Sequence, residues 1–205
     1  KPSDLSDVMH EAFYVAASGR PGPVVIDLPK DILFAEGPYY KPSEMRPCAY
    51  QPQVAGDQDK IEQAVELIAN SKKPIILAGG GTIISSAFAE LQSVAETLML
   101  PVVTTFKGKG AFPENHPLSL GPIGMHGHAE ANKMMAEADC VLAIGTRFSD
   151  RSVGTFEAFE KRLKIIHMDV DPAEIGKNQT TSVAVVGDVR ASLRIMVKLL
   201  LQRSV

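Results

Sequence analysis

The sequence predicts an α/β protein built around a doubly wound parallel sheet of about six strands, with helices on both faces. Two patterns carry this. From Asp57 onward, short continuous apolar runs alternate with amphipathic segments of helical period. The runs are apolar throughout instead of alternating with polar residues, as expected of parallel strands covered on both sides. A third observation concerns the ends of those runs, which carry Gly79-Gly80-Gly81, Thr104-Thr105, Gly145-Thr146-Arg147, Asp169-Val170-Asp171 and Gly187-Asp188. If the strands are parallel, all of these sets lie on one edge of the sheet, outside the carboxyl ends where such folds bind ligands. Right-handed crossovers would make the layer Rossmann-like.

Taken in order, Leu5, Val8, Met9, Ala12, Val15 and Ala16 recur with helical spacing behind Ser3 as an expected N-cap, with Asp4 and Asp7 in the first turn. Gly19 ends that helix. Val24-Val25-Ile26 reads as a buried strand closed by Pro29. One helix and one strand cannot pair their own backbone groups, so residues 1–35 read as the end of a preceding domain. Residues 36–56 carry repeated Pro and Gly without a period and read as a linker. Residues 57–205 then form the doubly wound domain.

Within it, Ile61, Ala64, Val65 and Ile68 mark a helix, and 74–78 a strand ending in the three glycines. Phe88, Leu91, Val94, Ala95 and Leu98 mark a second helix, and 101–104 a second strand. A long loop runs from Thr105 to about Gly127. A helix over 129–138 leads to a strand over 140–144, and 156–159 reads as a short helical turn. Strands over 164–170 and 182–186 follow. A closing helix spans 189–201 behind Asp188 as N-cap.

The chain has 205 residues, 45% of them hydrophobic, and a net charge of −3, which allows a substantial core and offers no basic face for nucleic acid. The two cysteines, Cys48 and Cys140, have no metal or redox spacing. A single disulfide stays open beside a reduced, cytoplasmic setting. No apolar run is long enough to span a bilayer, and no signal-like start is visible. The first residue is not Met, and the chain opens directly into a helical pattern, which suggests a piece of something longer.

Ala143 to Arg151 is the most informative stretch: a strand, a glycine, then Arg147 and Arg151. Glycine permits close backbone approach, and arginine presents a fixed fork of donors suited to phosphate, so a nucleotide diphosphate is one reading and a surface Arg–Asp pair the other. Gly79-Gly80-Gly81 opens a helix as phosphate loops do, or is simply a tight turn. It is neither a GxGxxG fingerprint nor followed by a Walker lysine. Thr104-Thr105 stands where a dehydrogenase would carry an acid, which counts against simple NAD binding. Asp169 and Asp171 would suit ribose hydroxyls, or turn formation before Pro172. Asp188 suits an N-cap first. His126, in the long loop, suits a cofactor contact or plain solvation. No acid–base pair or metal set is visible.

Several segments together carry a resemblance. Ser18-Gly19-Arg20-Pro21-Gly22-Pro23-Val24, running on to Lys30-Asp31, is similar to the end of the first domain of thiamine-diphosphate-dependent enzymes. Gly124-Met125-His126-Gly127, Arg147-Phe148-Ser149-Asp150-Arg151 and Asp169 to Asn178 resemble the large catalytic subunits of acetolactate (acetohydroxyacid) synthases. The resemblance covers essentially the whole chain. It implies an enzyme that decarboxylates pyruvate on thiamine diphosphate and joins the two-carbon unit to a second 2-oxo acid, in branched-chain amino acid biosynthesis. The catalytic glutamate and the Mg2+ site would lie in domains outside this sequence, so the chain alone is expected to be inactive.

The resemblance also implies that this domain holds FAD, structurally and without net redox chemistry. Arg20 and Arg147 would contact it with the backbone of Gly79, Gly80 and Gly81. Thr105 and Phe106 would line the flavin side, and Met125, His126 and Gly127 would border the ring system or ribityl chain. Gly145 belongs to the same edge. Asp169, Val170 and Ile175 would hold the adenosine end, with Gly187 and Asp188 nearby. Lys30 and Arg151 would lie by the substrate channel. The family pattern has Asp where this chain has Ser149, which removes one carboxylate beside two arginines. Expected partners are the other domains of the same enzyme, a second copy of it and a regulatory small subunit. The competing expectations are a related thiamine enzyme of the glyoxylate carboligase or decarboxylase type, a cofactor-free scaffold domain, and a free-standing NAD-binding module.

Overall fold

The computed structural model describes residues 1–41, 44, 48–52, 54–149 and 163–203. The chain divides into two compact units, Lys1–Pro52 and Gln53–Val205.

In the first unit a single 3-10 turn, Pro2–Asp4, runs into α1 (Leu5–Ala17), and a short α2 covers Lys30–Phe34. Asp4, not Ser3, occupies the N-cap of α1, and no side chain caps it, because the extra 3-10 turn moves the helix start past Ser3. The chain leaves the helix through Gly19 at φ +59°, where an added Cβ would strike the Tyr50 hydroxyl. Residues 21–29 have no regular secondary structure, which corrects the strand expected at Val24–Ile26. β-branched residues favour extended backbone, but a strand also needs a neighbour to take up its hydrogen bonds, and Val25 stands 91% exposed. No residue of α1 is buried: Val8, Met9 and Phe13 are exposed, while Leu5, Ala12, Val15 and Ala16 are half-buried.

The second unit begins with α3 (Gln58–Ala69), capped by the Asp57 carboxylate, which accepts the Lys60 N–H. Then come β1 (Pro74–Ala78), α4 (Gly80–Ile84), α5 (Phe88–Leu98), β2 (Val102–Thr104), β3 (Ser119–Pro122), α6 (Ala129–Glu137), β4 (Cys140–Ile144), β5 (Lys164–Asp169), β6 (Val183–Val186) and α7 (Val189–Arg203). The Asp188 carboxylate caps α7 by accepting the Ala191 N–H at 2.9 Å. The turn expected at 156–159 lies outside the described residues.

All six strands are parallel, in the order β3-β2-β1-β4-β5-β6. The expected sheet is present, with one strand unforeseen. β3 lies inside the segment read as a long loop, where Gly121 and Pro122 mask the pattern, and such residues are tolerated because β3 is an edge strand.

Successive strand residues supply two cores. Ile76, Ala78, Leu142, Ile144, Ile166 and Met168 pack against α3, α5 and α7. Ile75, Leu77, Val141, Ala143 and Ile165 pack on the opposite face with Ala131 and Met135 of α6 and with Phe148. This two-sided burial is why the strands read as continuous apolar runs instead of alternating ones. Both cysteines are free thiols. No helix among the described residues is long and apolar enough to cross a membrane.

Candidate nucleotide site at the carboxyl edge

The strand order reverses between β1 and β4, and the loops that follow these two strands leave toward opposite ends of the sheet. Such a reversal opens a crevice, and it is the usual ligand position in open α/β sheets. The residue after nearly every strand is tied to its neighbour, so the edge is a continuous row. Ile123 donates to the Thr104 carbonyl, Thr105 to Ala78, Gly79 to Ile144, Gly145 to Met168 and Gly187 to Asp169, all between 2.8 and 3.0 Å. The structure therefore brings Gly79, Thr105, Gly145, Asp169 and Gly187 to one line, followed by the loops bearing Phe106, Met125, Arg147, Val170 and Ile175.

The glycines at the centre of this row touch one another. Gly81 N–H donates to the Gly145 carbonyl at 2.9 Å, and a Cβ added to Gly79 would fall 2.2 Å from that same oxygen. The buried Thr82 hydroxyl donates to the Ile144 carbonyl at 3.3 Å. Gly79 and Gly81 are thus required by packing of the β1 and β4 loops. Gly80 differs: its nearest neighbour is the Lys107 side chain, at 3.3 Å from an added Cβ.

Thr105 turns inward, 6% exposed, and its hydroxyl accepts the Gly108 N–H at 3.1 Å, folding a 3-10 turn over the end of β1. Phe106 on that turn is 84% exposed, and Met125 after β3 is 83% exposed. His126 is exposed beside it. Gly127 is a packing glycine, since a Cβ there would lie 2.5 Å from the Pro122 carbonyl oxygen. The Met125 loop is pinned by Asn132 of α6, whose amide exchanges hydrogen bonds of 2.9 and 3.0 Å with the N–H and C=O of Gly124.

Arg147 is exposed two residues beyond Gly145, and its backbone carbonyl accepts from the Asn178 amide at 2.8 Å. Asp169 is nearly buried. Burial pushes its carboxyl above the usual range, while the Asp171 N–H, 3.0 Å from Oδ1, pulls the other way. Gly187 stands at φ +154°, and residues 55–56 cross directly over it, so that an added Cβ would meet the Gly56 nitrogen. Asp188 is committed to its capping bond. Arg20 and Lys30 belong to the first unit, in the segments after α1 and at the start of α2. Arg151 lies outside the described residues.

His167 and Asn132 were not among the expected site residues, and Asn178 stood only as the end of the Asp169–Asn178 segment, with no role of its own. His167 had a visible signal: it is the one polar side chain in Ile165-Ile166-His167-Met168, on a strand with neighbours on both sides. Among the described residues, no cluster of His, Cys, Asp or Glu is arranged to hold a metal ion.

The fold and this edge define a doubly wound α/β domain with glycine-rich loops at its carboxyl edge. Residues 61–196 match the family profile described as the thiamine pyrophosphate enzyme central domain, and the chain belongs to that family. It is 48% identical over 198 residues to the acetolactate synthase of Arthrospira platensis, covering 94% of this chain and 34% of that protein. A probable acetolactate synthase large subunit from Methanocaldococcus jannaschii is 48% identical over 197 residues, covering 95% of this chain and 33% of the relative. The acetolactate synthase isozyme 3 large subunit of Escherichia coli is 41% identical over 203 residues, covering 98% and 35%. The chain thus spans about a third of the length of the curated relatives it matches.

Proposed function

We propose that this chain is the central part of an acetolactate synthase-type enzyme, and that its carboxyl edge binds FAD in a structural role. The reading rests on one observation above the others. At the reversal of strand order the backbone is cleared of side chains by Gly79, Gly80, Gly81 and Gly145, and an exposed arginine follows two residues later.

The residues fit the group. A flavin nucleotide needs a cation for its diphosphate, apolar surface for its ring system and polar groups for its ribose. Arg147 supplies the first. Phe106 and Met125, both large, apolar and exposed, supply the second. Asp169, with Val170 and Ile175 on the loop after it, supplies the third. The family resemblance would add Arg20 as a cofactor contact, and Lys30 and Arg151 as substrate-channel residues. FAD bound only to the folded state would add stability by mass action.

In the whole enzyme, thiamine diphosphate and Mg2+ would supply the carbon–carbon chemistry on pyruvate and a second 2-oxo acid. The residues that hold them would come from the remaining two-thirds of the protein. A second copy of the enzyme and a regulatory small subunit would be its partners, in the cytoplasm. Residues 1–35 would then close a first domain, with 36–56 as linker and 57–205 as the central domain.

A specific observation favours a second reading, that of a scaffold without cofactor: the amides of Gly79 and Gly81 are already spent on the carbonyls of Ile144 and Gly145 at the end of β4. The flavin content of the purified full-length protein separates the two. Release of FAD near one per chain on denaturation supports the first reading, and colourless protein that takes up no FAD supports the scaffold. The chain alone, supplied with FAD, thiamine diphosphate and Mg2+, should not consume pyruvate, and turnover would overturn the domain assignment.

A further inference from the structure

His167 lies inside β5, paired with Ala143 of β4 on one side and Ala184 of β6 on the other, and is 1% exposed. Its Nε2 is 2.8 Å from the Thr146 carbonyl oxygen. A carbonyl only accepts, so Nε2 carries the proton. Nδ1 is buried without a partner. An apolar residue would leave no such orphan, so the imidazole is costly here unless its donor is needed. Burial also holds the ring below its ordinary titration range, which keeps it neutral with one N–H to give.

The group that receives that N–H is the residue before Arg147. The carbonyl of Arg147 itself accepts from Asn178 Nδ2 at 2.8 Å. The residue after it, Phe148, is 2% exposed, sits at φ +48° and packs edge-on against the His167 ring with centroids 5.2 Å apart. Left-handed backbone is unfavourable for phenylalanine and persists only where the surroundings impose it. Three consecutive residues are thus fixed by two side chains from β5 and the segment that follows it, while the arginine between them remains exposed.

We propose that His167 and Asn178 are positioning residues for Arg147, clamping residues 146–148 so that the guanidinium is presented ready-placed to the anionic part of the ligand. The proposal rests on the reading of this edge as a flavin nucleotide site. Its physical content is pre-organisation: a loop already ordered loses less freedom when the ligand binds.

The test is FAD titration, by flavin fluorescence, of the full-length protein and of variants at one salt concentration. Asn178→Ala, at an exposed position, and His167→Phe, which keeps a ring against Phe148, should each weaken FAD by about fivefold to tenfold. His167→Gln, whose amide can donate from near the Nε2 position, should recover most of the affinity. In an Arg147→Ala background, neither Asn178→Ala nor His167→Phe should cause further loss, because the residue they act through is gone. A merely structural role would instead add its penalty to that of Arg147→Ala, and additivity would overturn the clamp. So would unchanged affinity in Asn178→Ala, whether or not His167→Phe folds. If the unaltered protein takes up no FAD, the nucleotide reading itself fails and the clamp falls with it. That outcome differs from one in which the protein binds FAD, Arg147→Ala weakens it and Asn178→Ala does not.

Discussion

Gly81 and Gly145 meet backbone to backbone, the N–H of one donating to the carbonyl of the other at 2.9 Å, so that the loops leaving β1 and β4 are joined where the strand order reverses. Each would be obstructed by the other: a Cβ on Gly145 would fall 2.6 Å from the Gly81 Cα, and one on Gly81 would fall 2.7 Å from the Gly145 Cα. Gly145 also stands at φ +56°.

Alanine at Gly145 meets two penalties, the backbone clash and left-handed strain, together about 2–4 kcal/mol. Gly22→Ala, with nothing within 4 Å of its added Cβ and no positive φ, should change stability by less than about 0.5 kcal/mol. Urea unfolding of the two variants checks the difference. Equal midpoints would mean that the loops do not meet as described.

Gly80 separates folding from binding. Its Cβ would meet only the Lys107 side chain closely, at 3.3 Å, with the Lys107 carbonyl oxygen at 3.4 Å, and it lies in the first turn of α4. Gly80→Ala should therefore fold with nearly unaltered stability, while the added methyl group holds a phosphate away from the backbone. FAD affinity lower by about tenfold at unchanged thermal midpoint is the expected pair of results. A fall in stability without a fall in affinity would make Gly80 a packing glycine like its neighbours.

Glu90 joins α5 to α7. Its Oε1 accepts from Arg190 Nε at 3.0 Å and Arg194 Nε at 2.8 Å, while Oε2 is buried without a partner. Burial raises the carboxyl, but hydrogen bonds from Arg190, from the backbone and from Arg194 outweigh it and leave the group below its ordinary value. A lowered folded value means the contribution is present above the unfolded glutamate range and is lost as pH falls through the folded value. Glu90→Gln should cost about 1–2 kcal/mol at neutral pH. The gap between wild type and variant should hold from neutral pH down to the ordinary glutamate value of 4.5 and narrow only as the pH falls below it, in denaturant titrations. A gap that widens with acid would reverse the assignment.

Most of the second unit was legible because its strands are buried on both faces. Ile75 to Ala78, Cys140 to Ile144 and Ile165 to Met168 leave no room for polar residues except where one is needed, and α3, α5 and α7 show a clear apolar stripe. β3 was hidden because an edge strand tolerates Gly121 and Pro122. Val24–Ile26 differs for the opposite reason: its composition favours extended backbone, but no strand forms there, in keeping with the sequence reading that a lone helix and strand have no sheet of their own to pair with. The alignment of strand ends on one edge followed from the fold class alone. The division of labour among those residues did not, since Gly79 and Gly80 are indistinguishable in sequence yet only one is blocked by backbone. No role for His167 or Asn178 was visible in the sequence, because their significance lies in which carbonyls they hold.

Arg147 carries the central claim, and FAD titration of the full-length protein against Arg147→Ala and Arg147→Lys at one salt concentration tests it most directly. A charge-assisted hydrogen bond contributes about 1.5–3 kcal/mol, so the alanine variant should bind FAD about ten- to a hundredfold more weakly. Lysine should recover only part of the loss, because it keeps the charge without the planar fork. Unchanged affinity in Arg147→Ala would remove this residue from the site, and a full-length protein that binds no flavin would contradict the nucleotide reading of the carboxyl edge altogether.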